Sequence, residues 1–205
     1  MKKNKTVNDT AIRLEYALEK FPVSLKLRDG TAAIVRPLTR RDEIRLHKFF
    51  IAVPEEERLF IKKPIFDQEL FKEWFRHPDF DENHVLLMWH GQKIIGEITL
   101  RLRPGGWKRH IGVTTVLTHP NYRGRDVAKT LLTEQIEIAR SLGLSKLECE
   151  VNGERKIAIR ALEDLGFRYL MRQEDYVLDM KAVSHDYILM GLDLKVDEEY
   201  AGVGE

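Results

Sequence analysis

The hydrophobic pattern of residues 110–142 changes its period once, and a basic turn containing glycine lies at the change. The segment His110 to Leu117 is predicted to be a strand, whereas apolar residues recur at helical spacing from Val127 to Leu142. Gly143 is expected to end this helix. A strand followed so closely by a long amphipathic helix predicts an α/β fold in which the apolar stripe of the helix packs on a sheet.

The rest of the chain alternates between the same two patterns. Helical spacing predicts three further helices in the main part of the chain, Asp42 to Phe50, Asp67 to Phe75 and Lys156 to Leu165. Alternation of apolar and polar residues predicts an opening hairpin around Asp29-Gly30. Strand patterns separated by turns or helices predict further strands at His84 to Trp89, Lys93 to Leu102, Leu147 to Val151, Phe167 to Val177 and His185 to Leu194. One domain, residues 23–195, accommodates all of these elements.

Residues 1–22 are predicted to form an N-terminal helical extension, and residues 196–205 a C-terminal tail. Asn8 or Thr10 is expected to cap a short helix in which Ile12, Tyr16 and Ala17 share one face. Pro22 is expected to end the extension. We expect this helix to lie on the surface of the domain.

Composition excludes several classes of protein. With 34 basic and 33 acidic residues the formal charge is +1, which argues against nucleic-acid binding. The longest apolar run, Val85 to Trp89, is far shorter than the roughly 20 residues of a membrane span, and no apolar segment follows the basic N-terminus, so we expect a cytoplasmic protein. The single cysteine, Cys149, is expected to be a buried apolar residue, and the histidines lack the spacing of metal ligands.

The turn before the long helix has the properties of an anion site. The first N–H groups of a helix lack partners within it, and the helix dipole places about half a positive charge there. Arg123 and Arg125 add charge at this end of the helix. A pyrophosphate group fits these properties.

This turn resembles the acyl-CoA motif of the GNAT superfamily of N-acetyltransferases, Arg/Gln-x-x-Gly-x-Gly/Ala, in the stretch Arg123-Gly124-Arg125-Asp126-Val127-Ala128. Ile34-Val35-Arg36-Pro37 is similar to the first strand of the family, and Leu165-Gly166-Phe167 to the approach to its sixth strand. The resemblance spans roughly Leu25 to Leu194. It implies an α/β (α+β) GNAT fold with a central mixed, mostly antiparallel sheet of about seven strands, flanked by helices.

The resemblance also implies an activity, the transfer of an acetyl group from acetyl-CoA, as co-substrate, to a primary amine by direct attack in a ternary complex. No metal is implied. The implied cofactor-binding residues are Leu117, Thr118, His119, Arg123, Gly124, Arg125, Asp126, Val127, Ala128 and Asn152.

Three residues depart from the family pattern. Asp126 stands where a glycine is usual, so its carboxylate either repels a pyrophosphate or, as we favour, points outward and stabilises the helix N-terminus. Leu162 takes the place of a tyrosine that protonates the leaving thiolate, which leaves this role to water or to another tyrosine. Arg155 replaces a common asparagine.

Two residues are candidates for the general base, which in the family is usually a strand residue. One register of the family's glutamate falls on His110, whose ordinary pKa of about 6.5 suits the role, and another falls on Val113. Glu97 lies on the neighbouring predicted strand, beside the split in the sheet that the family implies. Solvent exposure in a turn or on a strand is the alternative interpretation of both candidates.

The amine acceptor is left open by the sequence. Leu27 to Thr31, Asp42, Phe49-Phe50 and Glu57-Arg58 resemble the entry to the acetyltransferase domain of bacterial Pat-type protein lysine acetylases, so a protein lysine or a small amine is expected. A homodimer is compatible with this interpretation. The alternatives are a non-catalytic acyl-CoA-binding sensor, consistent with Leu162, and an interaction protein that has lost CoA, consistent with Asp126.

Overall fold

Eight strands form one sheet in the computed structural model, which describes residues 12–59, 61, 67–76, 83–103 and 105–194. The spatial order of the strands is β1-β2-β3-β4-β5-β6-β8-β7, and every neighbouring pair is antiparallel except β5 and β6, which are parallel. The strands are β1 Val23–Lys26, β2 Ala32–Pro37, β3 Asn83–His90, β4 Lys93–Arg101, β5 Ile111–Thr118, β6 Lys146–Asn152, β7 Arg168–Leu178 and β8 Ser184–Asp193.

Helices cover both faces of the sheet. They are α1 at residues 12–18, α2 Glu43–Ala52, α3 Glu55–Arg58, α4 Gln68–Arg76, α5 Val127–Ser141 and α6 Lys156–Glu163. Helices α1, α5 and α6 share one hydrophobic cluster with residues such as Leu86 of β3, whereas α2 and α4 share a second, aromatic-rich cluster with Leu87. Because successive strand residues point to opposite faces, the two clusters lie on opposite sides of the sheet.

Helix α5 lies very close to the central strand β4. A Cβ atom built on Gly96 would lie only 2.6 Å from Val127 and 2.8 Å from Leu131, so the residue at this position must be glycine for the helix to pack where it does. On the adjacent strand, buried Thr114 donates a hydrogen bond to Gln135 of the same helix. The predicted helix with its stop at Gly143, which adopts φ 76°, is confirmed.

The sheet has one strand more than the roughly seven that the family resemblance implies, and its eight strands correspond to the opening hairpin, β1 and β2, and the six further strands predicted from local patterns. Gly30 adopts φ 85° in its turn, and the side chain of Asp29 accepts a hydrogen bond from Thr31 N at 3.0 Å. The mixed, mostly antiparallel α/β architecture is confirmed.

Helix α1 presents a different face to the domain from the one expected. Ile12 and Tyr16 are 58% and 73% exposed, whereas Ala17 is buried and Leu14 and Leu18 pack against the main core. The helix is therefore docked beside α5 through the residues at spacing i, i+3 and i+4. Its proposed caps, Asn8 and Thr10, lie outside the described residues.

No helix among the described segments is both long and apolar enough to cross a membrane.

Candidate active site

The sheet opens between its two parallel strands. Strands β5 and β6 pair only along Ile111–Thr114 and Lys146–Cys149. Beyond these residues β5 continues to Thr118 bonded to β4, and β6 continues to Asn152 bonded to β8. The two strands therefore diverge towards their C-terminal ends and leave a V-shaped gap, which we call the cleft.

A short turn after β5 brings the start of α5 to the edge of the cleft. His119 N donates to Ile95 O at 2.9 Å, which keeps the turn attached to β4, and a 3₁₀ turn follows at Pro120–Tyr122. The helix then begins at Val127, where Thr130 N donates to Asp126 O at 2.9 Å. The N–H groups of the first turn of α5 therefore have no acceptor within the helix and are available to an anion.

Asp126 has a left-handed backbone, with φ 65° and ψ 19°. This conformation explains why a glycine suits the position, since only glycine adopts it without steric cost, although Asp tolerates it better than most residues. The side chain is exposed and makes no capping hydrogen bond. The carboxylate therefore points outward, as we favoured, but it does not cap the helix.

Two arginines face each other across the cleft and share one carboxylate. Arg123 follows β5, and its Nη2 lies 2.7 Å from Glu57 Oε1. Arg155 follows β6, and its Nη2 lies 2.8 Å from Glu57 Oε2. Helix α3, which carries Glu57, therefore bridges the ends of the two diverging strands.

Arg125 is turned away from this pair of arginines. Its guanidinium contacts Asp29 Oδ2 at 2.8 Å and Thr31 Oγ1 at 3.3 Å in the opening hairpin, and it lies over the ring of Tyr122 at 5.0 Å. Its side chain therefore anchors the hairpin to the turn, which differs from the expectation that its charge adds to the anion site.

The residues at the far side of the cleft have structural roles. Asn152 ends β6, and its Oδ1 accepts a hydrogen bond from Glu154 N at 2.8 Å, so its side chain shapes the turn towards α6. Burial, followed by the charge of Glu150, raises the pKa of the Cys149 thiol to about 12, which agrees with the interpretation of Cys149 as an unreactive buried residue. Leu162 is also buried, within the main core.

Glu97 is buried one strand from the cleft. Only 1% of its surface is exposed, and it lies opposite Leu87 of β3 and Leu117 of β5. Its Oε1 accepts a hydrogen bond from Thr99 Oγ1 at 2.6 Å. Because Leu117 belongs to the part of β5 that has left β6, the Glu97 carboxylate lies level with the cleft, on the sheet face that α2 covers.

His110 is not brought to this site. It is exposed in the turn before β5, where its carbonyl oxygen accepts a hydrogen bond from Ser145 N at 3.0 Å. The cleft begins beyond Thr114, four residues and about 13 Å further along the strand at 3.3 Å per residue. Its assignment as a general base is therefore not supported, since the register that places the family's glutamate at His110 falls in the turn before β5.

His119 is buried among aromatic side chains directly after β5. Its ring lies between those of Phe49, 6.5 Å away, and Tyr122, 5.6 Å away, and its Nδ1 accepts a hydrogen bond from Asn121 N at 3.2 Å. Burial, then the charges of Lys93 and Arg123, lowers the pKa of the imidazole. His119 therefore fixes the turn geometry.

Two features of the site were not found from the sequence. The bridge from Glu57 to Arg123 and Arg155 joins residues far apart in the chain, and no local pattern indicates it. Tyr187 lies opposite Asn152 on β8, and burial, followed by Glu150 and Glu148, raises the pKa of its phenol to about 12. Its place beside the cleft depends on strand register, which single-strand patterns do not contain.

A family model matches the sequence, and solved structures resemble the fold. The sequence model of the Acetyltransferase (GNAT) family matches residues 46–167. No curated protein sequence matches the chain.

Among the described residues, no group of three or more His, Cys, Asp or Glu side chains is placed to hold a metal ion.

Three solved structures illustrate the likeness of fold. The N-acetyltransferase from Staphylococcus aureus Mu50 has a TM-score of 0.68 and 16% identity, over 80% of this chain and 99% of that chain. The GNAT domain of S. lividans PAT has a TM-score of 0.67 and 23% identity, over 84% and 96%. The structure of yncA from Salmonella typhimurium, with its cofactor acetyl-CoA, has a TM-score of 0.66 and 18% identity, over 80% and 94%.

Proposed function

Because the chain belongs to the GNAT family of acetyltransferases, we propose that it transfers an acetyl group from acetyl-CoA to a primary amine in a ternary complex. The observation that carries this proposal is the cleft itself, with the start of α5 and Arg123 at its edge. An extended thioester fits a gap between diverging strands, and its pyrophosphate fits unpaired helix N–H groups beside a guanidinium.

The proposed cofactor contacts follow the edge of the cleft. Arg123 and the backbone of Gly124, Asp126, Val127 and Ala128 are assigned to the pyrophosphate. Leu117, Thr118 and His119 on one side and Asn152 on the other are assigned to the extended arm. Positive φ at Gly124 and Asp126 supports this assignment, since it turns successive N–H groups into a concave surface. Only the backbone of Arg125 is assigned to the pyrophosphate, because its side chain contacts Asp29 and Thr31 in the opening hairpin.

We assign the general base to Glu97. The amine nitrogen attacks the thioester carbonyl carbon, the C–N bond forms, the C–S bond breaks, and the amine loses a proton to the carboxylate. A protonated amine with an ordinary pKa near 10.4 first releases its extra proton to solvent. The buried Glu97 carboxylate, held by Thr99, is suited to accept the second nitrogen proton, directly or through water, as the C–N bond forms.

The leaving thiolate needs little help at neutral pH, since a free thiol has a pKa of about 8.5. Because Leu162 stands in the place of the usual tyrosine, we assign protonation of the thiolate to water or to Tyr187, which lies opposite Asn152 at the end of β6. The acceptor is a protein lysine or a small amine. The likeness to the S. lividans PAT domain makes lysine peptides a natural part of a test panel.

A second candidate function is a non-catalytic acyl-CoA sensor, which the buried Leu162 favours. Calorimetric titration with acetyl-CoA, followed by thiol release against polyamines, amino acids and lysine peptides, separates the two. Binding with release supports the transferase. Binding without release across the panel supports the sensor, and the absence of binding contradicts both.

Replacement of the proposed base provides the sharper test. We expect Glu97→Gln to lower kcat by about 10²-fold or more while acetyl-CoA binds as before, because general-base catalysis contributes roughly that factor. His110→Ala, at the opposite end of β5, is the matched control and should retain full activity. Equal rates for Glu97→Gln and the unaltered protein, measured by thiol release, would remove Glu97 from the mechanism.

A further inference from the structure

We infer that Arg123 and Arg155 form a two-arginine clamp for the cofactor pyrophosphate, and that Glu57 occupies this clamp as an internal anion which the cofactor must displace. The inference rests on the proposed function. It adds Arg155 as a binding residue and Glu57 as a residue that sets the affinity.

The geometry of the Glu57 carboxylate is that of a bound anion. Each of its oxygens contacts a different guanidinium, at 2.7 and 2.8 Å, and the two arginines come from opposite sides of the cleft. The Glu57 side chain is only 12% exposed, whereas those of Arg123 and Arg155 are 42% and 39% exposed. The carboxylate is thus largely covered, whereas the two arginine side chains that contact it remain partly exposed.

A pyrophosphate at the start of α5 competes for the same donors. Arg123 lies in the turn between β5 and α5, three residues before Asp126 at the start of the helix, so a pyrophosphate held by the helix N–H groups is within the part of the site that we assign to its guanidinium. Guanidinium groups bind phosphate and carboxylate oxygens through the same N–H donors. The like charges of Glu57 and the pyrophosphate repel each other, so both cannot be held at full strength.

Helix α3 is attached in a way that permits Glu57 to leave. It consists of only four residues, Glu55–Arg58, and Glu55 and Glu56 are exposed. Glu55 contacts Lys181 at 2.6 Å in the turn between β7 and β8, but both side chains are more than half exposed, and ion pairs of this kind contribute little. We therefore expect Glu57 to leave the clamp by reorientation of its own side chain or by a small local shift of α3.

Calorimetric titration of acetyl-CoA into four proteins tests the inference. We expect Glu57→Gln to lower the Kd at least fivefold, and Arg155→Met to raise it at least fivefold. Glu55→Gln is the matched control, because it removes the same charge from the same helix outside the clamp, and its Kd should stay within twofold of the unaltered protein.

Thermal unfolding without ligand supplies a second readout. Glu57→Gln loses two charge-assisted contacts, so it should unfold at a lower temperature than the unaltered protein and yet bind acetyl-CoA more tightly. A purely structural role for Glu57 would weaken both stability and binding. Dephospho-CoA, which lacks the 3′-phosphate, should show the same gain, and a gain limited to the full cofactor would overturn the assignment to the pyrophosphate.

The remaining outcomes separate this inference from the proposed function. If the unaltered protein binds acetyl-CoA and Glu57→Gln binds it equally or more weakly, the internal anion is refuted while the proposed function stands. If neither protein binds acetyl-CoA, the proposed function fails and the inference fails with it. Tight binding by Glu57→Gln alone would support both.

Discussion

At the scale of single residues, Asp126 combines a left-handed backbone with a negative charge next to the proposed pyrophosphate site. We expect Asp126→Asn to lower the Kd for acetyl-CoA two- to threefold at low salt, because asparagine tolerates the same backbone and removes the charge. The gain should vanish at high salt, since the side chain is exposed and its field is screened. Calorimetry at two salt concentrations measures this.

Asp126→Gly is the companion variant to Asp126→Asn. It removes the same charge and also relieves the left-handed strain, so its affinity should match that of Asp126→Asn. A loss of affinity in both variants would mean that the carboxylate contributes to the site.

At the scale of elements, the start of α2 is attached to β2 by an ion pair between partly exposed Arg36 and buried Asp42. Arg36 contacts both oxygens of Asp42 at 2.7 Å, and Thr39 donates to Asp42 Oδ2 through its N–H and its hydroxyl, each at 2.8 Å. Although burial opposes the shift, the hydrogen bonds from Arg36 and Thr39 lower the pKa of Asp42. This network orients the helix that covers Glu97.

Loss of the Asp42 charge should therefore destabilise the protein. We expect Asp42→Asn to lower the free energy of unfolding by about 2 kcal/mol near neutral pH, the usual range for hydrogen bonds to a charged group. Because the pKa is lowered on folding, the contribution is present above the ordinary value of 3.8 and is lost as pH falls through the folded value. Urea unfolding at neutral and at strongly acidic pH tests both statements.

Equal destabilisation of Asp42→Asn at both pH values would contradict the pH argument. Glu43→Gln, a neighbouring carboxylate in the first turn of α2, serves as the control for the loss of one charge.

At the scale of the whole molecule, His185 couples the last hairpin to the region after β6. Its Nε2 lies 3.2 Å from Asp179 Oδ2, and its Nδ1 lies 3.4 Å from Glu154 Oε1. The hydrogen bond to Asp179, opposed by desolvation and aided by Glu154, raises the pKa of the imidazole. Because two carboxylates contact the ring, we expect its protonated form to stabilise the folded state.

The sign of the pH dependence follows from this direction. Since the pKa of His185 is raised above 6.5 on folding, its contribution is complete below 6.5 and is lost as pH rises through the folded value. We expect His185→Gln to lower the melting temperature more at pH about 6 than at pH about 9, because these values lie below and well above the ordinary histidine pKa of about 6.5. An equal difference at both values, in thermal scans, would contradict the proposed ionisation.

Local patterns predicted the elements well, and long-range contacts account for what they missed. The stripe of α5 and the glycine after it lie within one stretch of chain, so the helix was located to within a residue. By contrast, the face that α1 docks depends on its contacts with α5. Lys20, just after α1, contacts Glu134 and Glu137 of α5, each at 2.6 Å. The position of His110 depends on where β5 begins, and the partners of Glu57 depend on the whole fold.

The short pairing of β5 with β6 also makes the boundary between these two strands a weak point of the sheet. Strands β1 to β5 with α5 come from one continuous stretch of chain, and β6 to β8 with α6 from another, while only four register positions join the two parts of the sheet. The sheet should therefore fray first along this seam, and the amide hydrogens between β5 and β6 should exchange with solvent sooner than those between β3 and β4. A molecule bound across the cleft would hold β5 and β6 together and should slow this exchange.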